Sequence, residues 1–260
     1  MDSPHKMSPL QKASALSSLK GKRLISALTA YDYPTARILD EEEVDLLLVG
    51  DSLGMVVLGY PDTTHVTLDH VLHHTAAVAR GARRSLVVSD LPIDTYRTAD
   101  EALANSLLLQ EAGAQAVKLE GAFNQAEKVR KIVTAGIPVV GHLGMLPQRV
   151  KEEGGYKKKG KTAAEAEALL EGACALEQAG AFALVLESVL PEVAQKVTQT
   201  LSIPTIGIGC GNRTCDGEIA VITDVLGSYP WFVPPFATPQ ANFAQETRKA
   251  IRKFRRQLEL

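Results

Sequence analysis

Carboxylates recur at the ends of short apolar runs in this sequence, and that placement is where its chemistry can be sought. Leu46-Leu47-Leu48-Val49 reads as a strand buried on both faces, delivering Asp51 and Ser52 just beyond Gly50. Other runs lead to Thr29-Ala30-Tyr31-Asp32, Asp90, Lys118-Leu119-Glu120, His142, Glu187-Ser188 and Asp224. A single strand-end Asp is more often a turn or cap residue than a ligand. Gathered around one axis, however, Asp51, Asp90, Glu120 and Glu187 would share one mouth. Carboxylates crowded into a small site must protonate or bind a cation. With no thiolate cluster and only one strand-end His, the donors are hard oxygens, which select Mg²⁺ over zinc. Alternation along a strand sets Lys118 and Glu120 on the same face, a cation for an anionic substrate beside a carboxylate for the metal. The bland alternative is that these two simply pair.

Other motifs are weaker. His70, His73 and His74 have metal-like spacing on a predicted helix, yet no carboxylate orients them, and packing is the favoured reading. Gly207-Ile208-Gly209-Cys210-Gly211 fits a phosphate cradle and a tight turn equally well. Cys210 has no partnered base, so it is not read as a nucleophile.

Eight runs rich in Val, Ile and Leu can carry the strands: Leu24–Ala30, Asp45–Val49, Ser85–Ser89, Ala116–Leu119, Pro138–Gly141, Ala183–Leu186, Thr205–Ile208 and Ile219–Ile222. Between most of them lies a helical pattern. Ala99–Ala112 and Thr162–Ala179 stop at Gly113 and Gly180, and Asn124–Thr134 and Pro191–Leu201 are shorter. Strand and helix alternating in this way predict an α/β fold, a (βα)8 barrel rather than an open sheet. The gap before Ile219 is too short for a crossover helix, so the seventh unit must be abbreviated. Two long connections, Ser52–Arg84 (with a helix at Leu68–Arg80) and the Gly- and Lys-rich His142–Lys161, read as functional loops.

The chain of 260 residues suits one large domain over residues 23–260, including a C-terminal helix at Gln240–Leu260, preceded by a short helix or loose arm over Met1–Lys22. A net charge of −2 argues against nucleic acid, and no run is long and apolar enough for a membrane helix. The basic face of the C-terminal helix reads as solvated surface. Three cysteines without CxxC spacing suit the cytoplasm.

Val49-Gly50-Asp51-Ser52-Leu53-Gly54-Met55, Asp90-Leu91-Pro92, Val117-Lys118-Leu119-Glu120-Gly121, Gly141-His142-Leu143-Gly144, Pro147-Gln148, Gly154-Gly155-Tyr156 and Leu186-Glu187 closely resemble the ketopantoate hydroxymethyltransferase family, and the likeness runs from about Leu24 to Gly227. The resemblance implies a TIM barrel of the phosphoenolpyruvate/pyruvate type, assembled as a homodecamer. It implies transfer of a hydroxymethyl group from 5,10-methylenetetrahydrofolate to 3-methyl-2-oxobutanoate through a Mg²⁺-stabilised enolate, giving 2-dehydropantoate for pantothenate synthesis. By the same resemblance Asp51, Asp90 and Glu120 bind Mg²⁺, and Asp51, Ser52, Asp90 and Lys118 hold the keto acid. Glu187 would accept the proton, with His142 and Tyr31 supporting the set from behind. Departures from the family pattern, at Glu42-Glu43, Cys210, Glu218 and Thr223, leave that set untouched. Two rivals stand beside this reading: a lyase or phosphonate mutase of the same barrel superfamily, and a catalytically silent barrel that binds a metabolite.

Overall fold

A computed structural model describes residues 7–258 of the chain. Residues 1–6 of the expected arm and the last two of the expected C-terminal helix lie outside the described residues. The strands are β1 Ile25–Thr29, β2 Leu46–Val49, β3 Leu86–Asp90, β4 Ala116–Glu120, β5 Val139–Gly144, β6 Ala183–Glu187, β7 Thr205–Ile208 and β8 Gly217–Ala220. Each pairs in parallel with the next, and the sheet closes into an eight-stranded barrel. Helix α1 (Pro9–Ser17) precedes the barrel and α2 (Tyr33–Glu41) follows β1. The short α3 (Leu53–Val56) and α4 (Leu68–Gly81) separate β2 from β3. After them come α5 (Ala99–Glu111), α6 (Ala126–Thr134), α7 (Ala163–Gln178) and α8 (Pro191–Thr200), and α9 (Ile222–Leu226) and α10 (Phe243–Leu258) follow β8. The expected (βα)8 barrel is therefore borne out.

Helix starts follow from side chains that satisfy the orphaned N–H groups of the first turn. Asp32 caps α2, Thr67 caps α4, Thr98 caps α5 and Thr162 caps α7. Gly113 and Gly180, after α5 and α7, have φ of 112° and 102°, as helix-terminating glycines do.

Inside the barrel, alternate residues from successive strands, among them Ile25, Ala27, Leu46, Leu48, Val88, Val140, Val185 and Ile206, form one apolar core. Leu16 of α1 joins it. Lys12 Nζ donates to Arg83 O (3.0 Å) and Ser85 O (2.9 Å) ahead of β3, and Ser17 Oγ donates to Phe182 O (3.0 Å) ahead of β6. Helix α1 thus lies across the amino ends of the strands and closes the bottom of the barrel.

The eighth unit differs from expectation. Its strand is Gly217–Ala220 rather than Ile219–Ile222, because register is fixed by the pairs Ile206↔Gly217 and Gly207↔Glu218. Ile25 N–H donates to Asp216 O at 2.9 Å where the barrel closes, and a Cβ on Gly217 would stand 2.5 Å from Ile25 O. Only glycine allows that approach. Asp224 consequently lies within α9, not at a strand end. The connection 209–216 has no helix, as its length required.

The chain falls into two compact units, one running to Ile219 and the other from Ala220. Within the second, Gln240 N–H donates to Val225 O (2.8 Å) and Ala244 N–H to Gly227 O (3.1 Å). Trp231, Phe232, Phe236, Phe243, Ile251 and Phe254 are exposed in the single chain, and α10 buries no residue.

Candidate active site at the carboxyl ends of the strands

The barrel brings Asp51, Asp90, Lys118 and Glu120 into one buried cluster. Asp90 and Glu120 are the last residues of β3 and β4, and Asp51 lies two residues beyond β2. Asp90, Lys118 and Glu120 are fixed by strand backbone, and Asp51 by the turn that leaves β2, so they are held closely. Lys118 Nζ meets Asp90 Oδ1 at 2.7 Å, and Asp51 N–H donates to Asp90 Oδ2 at 3.0 Å. Exposure is 5% or less for all four residues.

Burial, with the charges of Asp90 and Glu120, pushes the Asp51 carboxyl well above the ordinary carboxylate range; Lys118 and Gln148 oppose this. Asp90 is raised by burial against the counter-pull of Lys118. Lys118 is itself penalised by burial, yet its carboxylate neighbours raise it above the ordinary lysine value. One ammonium does not balance three carboxylates, and a divalent cation would.

His142 is inside β5, not at the strand end expected from sequence. Its ring separates the cluster from Glu187: Nδ1 lies 3.4 Å from Glu120 Oε1 and Nε2 lies 3.4 Å from Glu187 Oε2. Burial and Lys118 push the imidazole down, but the Glu120 and Glu187 carboxylates beside it outweigh them and lift it to about 9. Glu187, the last residue of β6, is thus placed across His142 from the other three carboxylates, and it is less buried than they are. Gly144 makes room for it, since a Cβ there would run into the Glu187 carbonyl oxygen. Ser188 turns the chain away in the left-handed region, at φ 51°, a conformation that L residues adopt at a cost of about 1–2 kcal/mol.

Tyr31 and Ser52 pair at 2.8 Å between Oη and Oγ. His74 Nδ1 lies 2.6 Å from Tyr31 O and His70 Nδ1 accepts the Thr67 N–H at 3.2 Å, so these histidines brace loops as the packing reading expected. At the Gly-rich turn, Cys210 Sγ donates to Leu186 O at 3.0 Å.

Two residues absent from the expected site belong to it. Gln148, 3% exposed, donates its side-chain amide to Asp51 Oδ2 (2.9 Å) and its backbone N–H to Glu120 Oε2 (3.2 Å). Tyr96 donates its hydroxyl to Gln148 Oε1 at 2.5 Å. Pro147-Gln148 stood among the family-like motifs, but nothing in its spacing tied it to Asp51, 97 positions away.

The donor chemistry fits Mg²⁺. The oxygens are hard and gathered, and Glu120 Oε1 is buried without a hydrogen-bond partner. Among the described residues no three His, Cys, Asp or Glu side chains form a ready-made metal cage. Lys118 and Gln148 engage oxygens of Asp90 and Asp51. A complete cage is not required, because Mg²⁺ commonly takes one or two carboxylates and leaves the rest of its shell to water and substrate.

Residues 11–259 match the sequence model of the family described as ketopantoate hydroxymethyltransferase. A 3-methyl-2-oxobutanoate hydroxymethyltransferase of Syntrophobacter fumaroxidans is 52% identical over 92% of this chain and 86% of its own. One from Ignicoccus hospitalis is 51% identical over 90% and 89%. Among solved structures, phosphonopyruvate hydrolase in complex with oxalate and Mg²⁺ superposes with a TM-score of 0.67 at 15% identity, covering 96% of this chain and 88% of that one. A 2,3-dimethylmalate lyase of the PEP mutase/isocitrate lyase superfamily gives 0.62 at 18% identity over 94% and 88%. Those two likenesses speak for the barrel fold alone.

Proposed function

The chain belongs to the ketopantoate hydroxymethyltransferase family, and from that premise we propose that it transfers a hydroxymethyl group from 5,10-methylenetetrahydrofolate to 3-methyl-2-oxobutanoate. The product is 2-dehydropantoate, in pantothenate and coenzyme A synthesis. One observation carries the reading furthest: three buried carboxylates and Lys118 share a strand-end cluster, with a fourth carboxylate set apart from them by His142.

Asp51, Asp90 and Glu120 would hold Mg²⁺, while Ser52 and Lys118 bind the keto acid with Asp51 and Asp90. A cation bound there would supply Lewis acidity at the keto group, stabilising the charge that develops when the neighbouring carbon loses its proton. Glu187 takes the C3 proton. His142 stands between Glu187 and Glu120, 3.4 Å from each, and steadies both. The C3 carbanion takes the folate methylene, whose two C–N bonds give way to one bond with C3 and one with a water oxygen. The C3 proton held by Glu187 and one proton of that water pass to the two folate nitrogens, and tetrahydrofolate leaves. No Ser, Cys or Lys nucleophile enters this scheme.

The rival assignment to a lyase or phosphonate mutase rests on structural likeness at 14–18% identity, against about half the residues identical in the hydroxymethyltransferases. Turnover with the keto acid, methylenetetrahydrofolate and Mg²⁺, omitting each in turn, tests the proposal. Product formed without folate would overturn it.

We assign the enzyme to the cytoplasm, where its three unpaired cysteines persist as thiols. No described helix is long and apolar enough to cross a membrane. A homodecamer is carried by the family resemblance, and exposed apolar side chains such as Trp231 and Phe236 agree with burial in an assembly. Light scattering is expected to give a mass well above a dimer, and a stable monomer at micromolar concentration would contradict it.

A further inference from the structure

Gln148 is engaged through every polar group it has near the cluster. Its amide nitrogen donates to Asp51 Oδ2 (2.9 Å) and Leu91 O (3.0 Å), and its amide oxygen accepts from Tyr96 Oη (2.5 Å). Its backbone N–H donates to Glu120 Oε2 (3.2 Å). The Asp51 carboxylate and the Leu91 carbonyl can only accept, so they fix which way the amide faces, and the Tyr96 phenol donates to the oxygen on its other side. Reversed, the amide would turn its oxygen on the Asp51 carboxylate and the Leu91 carbonyl, two acceptors with no proton to share. A cavity of about 290 Å³ lined by Tyr96, Gln148, Glu120, Lys128 and Arg149 flanks the pair. Packing on that side is incomplete, so hydrogen bonds hold Gln148 in place.

The consequence is geometric. Gln148 engages one oxygen of Asp51 and one of Glu120, setting the rotation of both carboxylates at once. The second oxygen of Glu120 is left buried without a hydrogen-bond partner. We propose that Gln148, anchored by Tyr96, is a positioning residue that presents Asp51 and Glu120 to the divalent cation. This rests on the proposed reading of the site as a Mg²⁺ and keto-acid site. Residues that orient metal ligands in this way typically contribute about 10–100-fold in metal affinity or activity.

The test measures the Mg²⁺ concentration at half-maximal binding of 3-methyl-2-oxobutanoate by calorimetry, for the wild type, Gln148→Leu and Tyr96→Phe, with thermal unfolding of each metal-free protein. Gln148→Leu is expected to raise the midpoint about 10–100-fold, and Tyr96→Phe to raise it by a smaller factor. Keto-acid binding should recover at saturating Mg²⁺, which a general loss of packing would not allow. A midpoint within twofold of wild type in folded Gln148→Leu overturns the inference. Should that variant fail to fold, a wild-type midpoint in Tyr96→Phe overturns it instead. If the wild type itself binds no keto acid with Mg²⁺, the proposed reading of the site fails, and this inference with it. Equal, metal-dependent binding by wild type and variants removes the inference alone.

Discussion

At the scale of single residues, the site divides between groups fixed by strands and groups fixed by loops. Asp90, Lys118, Glu120 and Glu187 could be read from sequence because each sits at or next to the end of an apolar run, where alternation sets its direction. Gln148 and Tyr96 could not, because they come from irregular connections whose path depends on the whole barrel. His142 was placed at a strand end and is found inside β5, since that strand continues to Gly144. Asp51→Ala or Asp90→Ala is expected to abolish Mg²⁺-enhanced binding of the keto acid while the barrel stays folded, because stability in such barrels depends little on their catalytic face. Calorimetry with and without Mg²⁺ checks this, and unchanged enhancement in both variants would remove them from the metal's shell. Glu187→Gln keeps size and polarity but cannot take a proton. Exchange of the substrate C3 proton in heavy water with Mg²⁺, without folate, should then fall by about 10²–10⁴, the usual worth of a general base. Keto-acid binding should stay within a few-fold. Proton NMR of the methine reports the exchange, and a folded variant exchanging at the wild-type rate would send the search to another base.

At the scale of elements, Asp40 joins the end of α2 to the start of β3. Its carboxylate Oδ1 accepts the backbone N–H groups of Arg83 (2.9 Å), Arg84 (2.7 Å) and Ser85 (2.8 Å). Those three donors sit in the tight turn between α4 and β3. Hydrogen bonds to charged groups are worth about 1.5–3 kcal/mol, so Asp40→Ala is expected to cost about 2–3 kcal/mol in urea unfolding. Burial pushes the carboxyl up, but the three N–H groups outweigh it and hold Asp40 below its ordinary 3.8. A carboxyl lowered by folding adds stability that is complete above its unfolded value and lost as pH falls through the folded one. The gap between wild type and Asp40→Asn should therefore be flat from about pH 7 to 5 and narrow below about pH 4. A gap independent of pH down to 3 would mean that the charge contributes nothing. Local pattern made most elements legible, because caps such as Thr98 and Thr162 and stops such as Gly113 act within a few residues. The eighth strand was misplaced by two residues because its apolar run continues into α9, and only pairing with β7 decides where the strand stops.

At the scale of the whole molecule, the barrel separates stability from chemistry along its axis. The carboxyl ends of the strands carry buried like charges that work against folding, as the raised Asp51 and Asp90 carboxyls register. The amino ends are closed by α1, through Leu16 in the apolar core and through Lys12 and Ser17 on backbone carbonyls ahead of β3 and β6. Sequence gave the first 22 residues only as a short helix or loose arm, because contacts spanning 73 and 165 positions leave no local trace. If the axis divides labour in this way, damage at the bottom should lower stability without touching catalysis. Leu16, 4% exposed, is the side chain to truncate. Leu16→Ala is expected to cost about 2–5 kcal/mol, the usual range for a buried leucine that leaves a cavity. C3 proton exchange per folded molecule should stay within twofold of wild type, since Leu16 lies at the amino ends of the strands and the Asp51 cluster at the carboxyl ends. Urea unfolding and the heavy-water exchange assay on the same preparation give both numbers. A tenfold loss of exchange in a fully folded Leu16→Ala protein would show that strain at the bottom reaches the carboxylates, and the separation along the barrel axis would be wrong.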